Sequence, residues 1–212
     1  MLRAAFYARI LTGLLGLVVI ATPAHAASSA FTGQLYDPGQ LKPVDSVLKV
    51  EKGDTAPDFT LRAVSGRRVT LSDLQGKKNV MLTFVPAAWT PVCSDQWPGY
   101  NIAQKLFDRY DTTVIGISTD NIPTLYSWTK EMGTLWFEVV SDFWPHGEVS
   151  SRYGVLRTDG TSERAIFIID RPVRRRFIFD LLIRHTQAVQ VMAIGLGELA
   201  GRGSLDAEPG HS

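Results

Sequence analysis

Phe84-Val85-Pro86-Ala87-Ala88-Trp89-Thr90-Pro91-Val92-Cys93-Ser94-Asp95-Gln96 is the stretch on which the fold is read. The apolar run Val80 to Val85 ahead of it has the length and composition of a buried strand. That strand stops at Pro86, and the turn after it carries a hydroxyl, Thr90, three residues before the only cysteine of the chain. Tyr100 to Tyr110 has helical spacing, which places Cys93 at or near the first turn of a helix. First-turn N–H groups lack intrahelical partners and carry partial positive charge, so an anion is favoured there. The thiolate is the reactive form of a cysteine.

The flanking sequence extends this strand–turn–helix unit in both directions. Phe59 and Leu61 point to one face of a strand, Ser65-Gly66 makes a turn, and Val69 with Leu71 gives a second short strand before a helical turn at Ser72-Asp73-Leu74. Downstream, Ala103, Leu106, Phe107 and Tyr110 recur at helical spacing, with Pro98-Gly99 expected to kink or restart that helix. Thr113 to Ser118 is a buried strand, parallel to Val80–Val85 because a helix joins them. Pro123 to Met132, closed by Gly133, is a helix with Leu125, Trp128 and Met132 inward. Phe137 to Ser141 is a strand, Gly147 to Tyr153 a short helix, Ala165 to Ile169 a strand and Arg175 to Phe179 another. Thr186 to Leu199 is helical by composition. Alternating β and α elements with buried apolar strands give an α/β layered domain.

The whole chain bounds the function. At 212 residues and 45% apolar it suits one globular domain. A formal charge of +1 does not favour nucleic acid as a partner. One cysteine is too few for a zinc cluster or a disulfide framework. His146 near Asp142 does not complete a metal site, and no cofactor is called for. Trp89, Trp97, Trp128, Trp136 and Trp144 read as core and interface, not as a binding stripe. Arg174-Arg175-Arg176 reads as a solvated strand edge.

Arg3 and Arg9, the apolar run Ile10 to Ile20, Pro23 and Ala24-His25-Ala26 have the layout of a secretory leader cleaved after Ala26. The apolar run is short against the roughly 20 residues of a spanning helix, so no stable membrane anchor is expected. Removing residues 1–26 takes away two arginines and no acid, turning the charge from +1 to −1. The expected organisation is a leader over 1–26, an arm over 27–49 that is mobile in its first part, a domain over 50–200 and a frayed tail over 201–212. The protein is expected to be exported, periplasmic or secreted.

Pro86, Thr90 and Cys93 spell Pro-x-x-x-Thr-x-x-Cys, which resembles the reactive-cysteine loop of the peroxiredoxins, the alkyl hydroperoxide reductase and thiol-specific antioxidant family. The resemblance covers Gly53 to Asp170. It includes Gly53-Asp54-Thr55-Ala56-Pro57-Asp58-Phe59-Thr60-Leu61, Val114-Ile115-Gly116-Ile117-Ser118, Ser141-Asp142, Tyr153-Gly154-Val155 and Arg164 before its apolar strand. It implies a thioredoxin fold, a central mixed sheet with helices on both faces. It implies a thiol-dependent peroxidase in which Cys93 takes an oxygen from hydrogen peroxide or an alkyl hydroperoxide and becomes a sulfenic acid. By the same resemblance Thr90 orients the peroxide or the thiolate, Pro86 shields the sulfur from water, and the Arg164 guanidinium reaches the cysteine loop.

With no second cysteine the chain looks like the one-Cys members, so the reductant is external, a thioredoxin-like protein or a small thiol. The resemblance favours a homodimer or larger ring. Gln96 stands where many relatives have an acid, and Arg171-Pro172 replaces a glycine-bearing turn. Two other classes compete. A cysteine hydrolase or acyltransferase would need His146 or His185 within reach of Cys93. A non-catalytic exported thioredoxin-fold protein, for binding or redox sensing, would need none of this chemistry.

Overall fold

Strand β3, Asn79–Phe84, is buried from Val80 onward, and the sheet is built out from it. The computed structural model describes Phe31, residues 33–39 and residues 43–171. The other strands are β1 (Thr60–Ala63), β2 (Arg68–Thr70), β4 (Thr112–Ser118), β5 (Glu138–Ser141) and β6 (Ala165–Ile169). They form one six-stranded sheet in the order β2-β1-β5-β4-β3-β6. β3 runs parallel to β4, and β4 parallel to β5. β6 is antiparallel to β3, and β1 is antiparallel to both β5 and β2. The sheet is therefore mixed, and its central strands carry the unbroken apolar runs that burial on both faces demands.

The helices are α1 (Pro91–Ile102), α2 (Gln104–Arg109), α3 (Ile122–Glu131) and α4 (Glu148–Tyr153). Side chains of alternate strand positions sort them onto two faces. Met81, Val114, Val139, Ile166 and Ile168 pack with Cys93, Trp97 and Tyr100 of α1, Phe107 of α2 and Leu125 and Trp128 of α3. Leu82, Phe84, Ile115, Ile117 and Phe167 pack on the other side with Val149 and Tyr153 of α4. This is the α/β thioredoxin fold, with helices on both faces of the sheet.

Three local devices set the helices that matter. Asn121 precedes α3, and its side chain accepts the Thr124 N–H at 2.9 Å. The buried Asp142 carboxylate accepts the Val149 and Ser150 N–H groups at 3.0 and 2.8 Å at the start of α4. Burial raises its pKa, against these hydrogen bonds that lower it. Gly116 lets α1 lie close to β4, since a Cβ there would sit 2.7 Å from the Trp97 ring. The Trp97 ring lies 4.7 Å from that of Trp128.

One expected boundary moves. α1 runs unbroken through Pro98 and Gly99, and the break falls at Ala103, the last residue before α2. Proline's fixed φ is itself helical, so Pro98 removes one backbone donor without ending a helix that Trp97 and Tyr100 bury on either side. Among the tryptophans, Trp97 and Trp128 are fully buried, whereas Trp144 is 81% exposed and belongs to no core.

The segment expected as an arm lies against the domain where it is described. Phe31 is buried, and Leu48 packs against the core. The Asp45 N–H and Ser46 hydroxyl donate to Glu163, which also accepts from Arg157 at 2.8 Å. Burial opposes the Arg157 charge, but the bond to Glu163 and the nearby carboxylates outweigh it and raise its pKa. Residues 1–26, the Arg174–Arg176 run, the Arg175–Phe179 strand, the Thr186–Leu199 helix and the 201–212 tail lie outside the described residues.

Candidate active site

Thr90 ends the extended chain, and Pro91 takes the first helical position of α1, where a missing N–H costs nothing. Cys93 is thus the third residue of the helix. The first bond closing the helix runs from the Ser94 N–H to the Thr90 carbonyl, at 3.0 Å. The sulfur is on the first turn as the sequence implied, and Cys93 is fully buried.

Arg164, directly before β6, reaches it from the opposite side. One guanidinium N–H donates to Cys93 Sγ at 3.2 Å, and another donates to Gln96 Oε1. The Gln96 amide then donates to the Tyr100 hydroxyl at 2.7 Å and to Thr83 Oγ1 at 3.0 Å. Burial raises the Tyr100 pKa, partly offset by its bonds to Thr83 and Gln96, so the phenol stays neutral. Cys93, Gln96 and Tyr100 follow one another at i, i+3 and i+7, one stripe of the helix. Gln96 and Tyr100 were not singled out as site residues in the sequence, and that spacing is the signal that could have found them. The Gln96 amide oxygen tethers the arginine. No ion pair between Arg164 and a carboxylate occurs among the described residues, so none of these neutralises the charge facing the sulfur.

The loop between β3 and α1 is held at several points. The Ala88 N–H donates to Asp120 Oδ2 at 2.7 Å, and the Ser118 hydroxyl donates to the same oxygen at 2.6 Å. The Thr90 hydroxyl donates to the Ala87 carbonyl at 2.9 Å. With its proton committed there, the Thr90 oxygen has lone pairs left to accept from a third group. Trp89 has φ 61°, a left-handed backbone that costs a bulky residue about 1–3 kcal/mol. Beyond the loop, the buried Trp128 indole donates to Ser94 Oγ at 2.9 Å, fixing the residue beside the sulfur.

Of the four residues singled out in the sequence, Cys93 and Arg164 are joined directly by a hydrogen bond. Thr90 and half-buried Pro86 belong to the loop leading to the sulfur, at its helical and strand ends. His146 is engaged with the Gly160 carbonyl at 2.8 Å, so the partner of Cys93 is a guanidinium and not this imidazole. That removes His146 from the hydrolase alternative; His185 lies outside the described residues.

A sequence model of the AhpC/TSA family matches residues 52–175, more than half of the chain. The chain belongs to the AhpC/TSA family. It is a peroxiredoxin, a peroxidase-type oxidoreductase that reduces peroxides at the expense of thiols. Alkyl hydroperoxide reductase E of Mycobacterium tuberculosis is 40% identical over 126 residues, 59% of this chain and 82% of that protein. A chloroplastic 2-cysteine peroxiredoxin of Chattonella marina var. antiqua is 35% identical over 133 residues, 58% of this chain and 67% of the relative. Among solved structures, peroxidoxin BcpB of Mycobacterium tuberculosis superposes with a TM-score of 0.62 at 25% identity, covering 70% of this chain and 97% of its own. The reduced 2-Cys peroxiredoxin of Plasmodium vivax gives 0.63 at 25%, covering 73% and 99%.

Proposed function

We propose that this peroxiredoxin works by a one-Cys cycle, with Cys93 as nucleophile, Arg164, Thr90 and Pro86 serving it, and an external thiol restoring it. The observation that carries the reading is the Arg164 guanidinium 3.2 Å from a buried sulfur on the first turn of α1. The thiolate attacks the terminal oxygen of a hydroperoxide. The O–O bond breaks, the departing oxygen takes a proton and leaves as water or alcohol, and Cys93 becomes a sulfenic acid. Arg164 meets negative charge as it develops on that oxygen, a preorganised donor already in place. The Thr90 oxygen accepts the peroxide O–H, and Pro86 keeps bulk water from the sulfur.

Recycling needs two thiol equivalents. The first attacks the sulfenic sulfur, releases water and leaves a mixed disulfide; the second frees Cys93 and departs as the oxidised disulfide. Cys93 is the only cysteine of the chain, so both equivalents come from another molecule, a thioredoxin-like protein or a small thiol. The chain works as a dimer or larger ring, a reading that rests on the family alone.

One equivalent of hydrogen peroxide added to the reduced protein is expected to raise its mass by one oxygen, located on Cys93 and removed by a dithiol. An unchanged mass with a still titratable thiol would sink the proposal. The leader pattern at residues 1–26 supports export to the periplasm or beyond. Protein recovered outside the cytoplasm should begin at Ala27; intact mass settles this, and a retained Met1 would overturn it.

A further inference from the structure

The described residues before the family-matched region include a piece of chain lying on the cysteine loop. Phe31 is only 3% exposed and belongs to the same apolar cluster as Val85, Ala88 and Cys93. Its ring meets the Trp89 ring edge-on, with centroids 6.1 Å apart at 82°. Gly33, at φ 75°, and a Gln34 N–H bond to the Phe31 carbonyl turn the chain back. The Tyr36 N–H then donates to the Trp89 carbonyl at 2.8 Å. Both contacts fall on Trp89, the one loop residue whose backbone is left-handed. An unfavourable backbone of that kind persists only where its surroundings hold it.

We infer that Phe31 and the Tyr36 backbone N–H form a positioning strap that holds Trp89, and through it Thr90 and Cys93, in the closed arrangement that reacts with peroxide. The inference rests on the peroxidase reading above. Released from the strap, Trp89 relaxes to ordinary extended or helical backbone, and Thr90, the next residue, moves with it. The closed loop buries Cys93 completely and so shields the sulfur from larger thiols and alkylating reagents. The strap thereby sets the balance between a closed state suited to oxidation and an open state suited to attack by bulkier molecules. Residues 31–36 lie ahead of the family-matched region, which begins at residue 52.

The test compares wild type with Phe31→Ala and Tyr36→Pro. The Tyr36 side chain is 71% exposed, so its replacement mainly deletes the N–H. Two rates are read at a temperature where each variant is shown to be folded: oxidation of Cys93 by hydrogen peroxide in a single turnover, and alkylation of reduced Cys93 by iodoacetamide. In each variant oxidation should slow on the order of tenfold while alkylation speeds up by a similar factor. Hydrogen-exchange protection of the sheet strands is read alongside, and opposite movement of the two rates with that protection unchanged is the signature that general loosening would not give. If Phe31→Ala does not fold, Tyr36→Pro alone decides. Rates within about twofold of wild type, or both rates moving the same way, overturn the strap. A wild-type protein that hydrogen peroxide leaves unoxidised would remove the peroxidase reading itself.

Discussion

Cys93→Ser should abolish peroxide consumption, by a factor of at least about 10³, and should remove the oxygen adduct from the mass spectrum. The two side chains are nearly the same shape, and a serine oxygen can still accept the Arg164 N–H, so the stripe of Cys93, Gln96 and Tyr100 on α1 keeps its contacts. What is lost is the nucleophile: a serine hydroxyl has no appreciable anion near neutral pH, and no base among the described residues is hydrogen-bonded to this position. Peroxide loss, followed with excess thiol present, is the measurement, with the unfolding midpoint confirming that the variant is intact. Oxidation persisting at another residue, with turnover retained, would show that the chemistry lies elsewhere.

Arg164→Ala should slow the oxidation of Cys93 by about 10²- to 10³-fold, the range found when one preorganised donor is removed from a site of developing charge. The side chain bridges two groups, donating to the sulfur at 3.2 Å and to the Gln96 carbonyl oxygen. Its removal takes away the cation and leaves Gln96 without that partner. Arg164→Lys restores a charge but not a planar fork able to span both acceptors, so the rate should stay at least about tenfold below wild type. Stopped-flow oxidation under single-turnover conditions separates this step from recycling. An alanine variant oxidised as fast as wild type would end the role given to the guanidinium.

The elements that pack in the ordinary way were legible from residue pattern. Val80–Val85, Thr113–Ser118 and Ala165–Ile169 are apolar runs that serve buried strands, and they appear as β3, β4 and β6 within one residue at each end. The helix after the cysteine was legible in kind but not in extent. Pro98 and Gly99 are strong local breakers, yet tertiary burial of Trp97 and Tyr100 overrides them. Cys93 and Arg164 were legible through family resemblance, since nothing local tells a residue ahead of a strand which neighbour it will meet. Asp120 was missed because its partners are the Ala88 N–H and a serine two residues back, contacts that no periodicity announces. Phe31 was missed for a similar reason. A single aromatic in a small, polar, glycine-punctuated stretch carries no pattern, and its burial depends on a ring 58 positions away.

Cys93 and Arg164 are separated by 71 positions, and they meet only because β6 zips antiparallel onto β3 at the end of the described sheet. Contacts of such long range form late, after the chain has closed the loop between them. A nascent polypeptide that has emerged past α1 therefore exposes a commonplace thiol, with no guanidinium beside it. If the guanidinium serves the sulfur as proposed, the fast reaction with peroxide is acquired only at the completion of folding, when this pair is assembled.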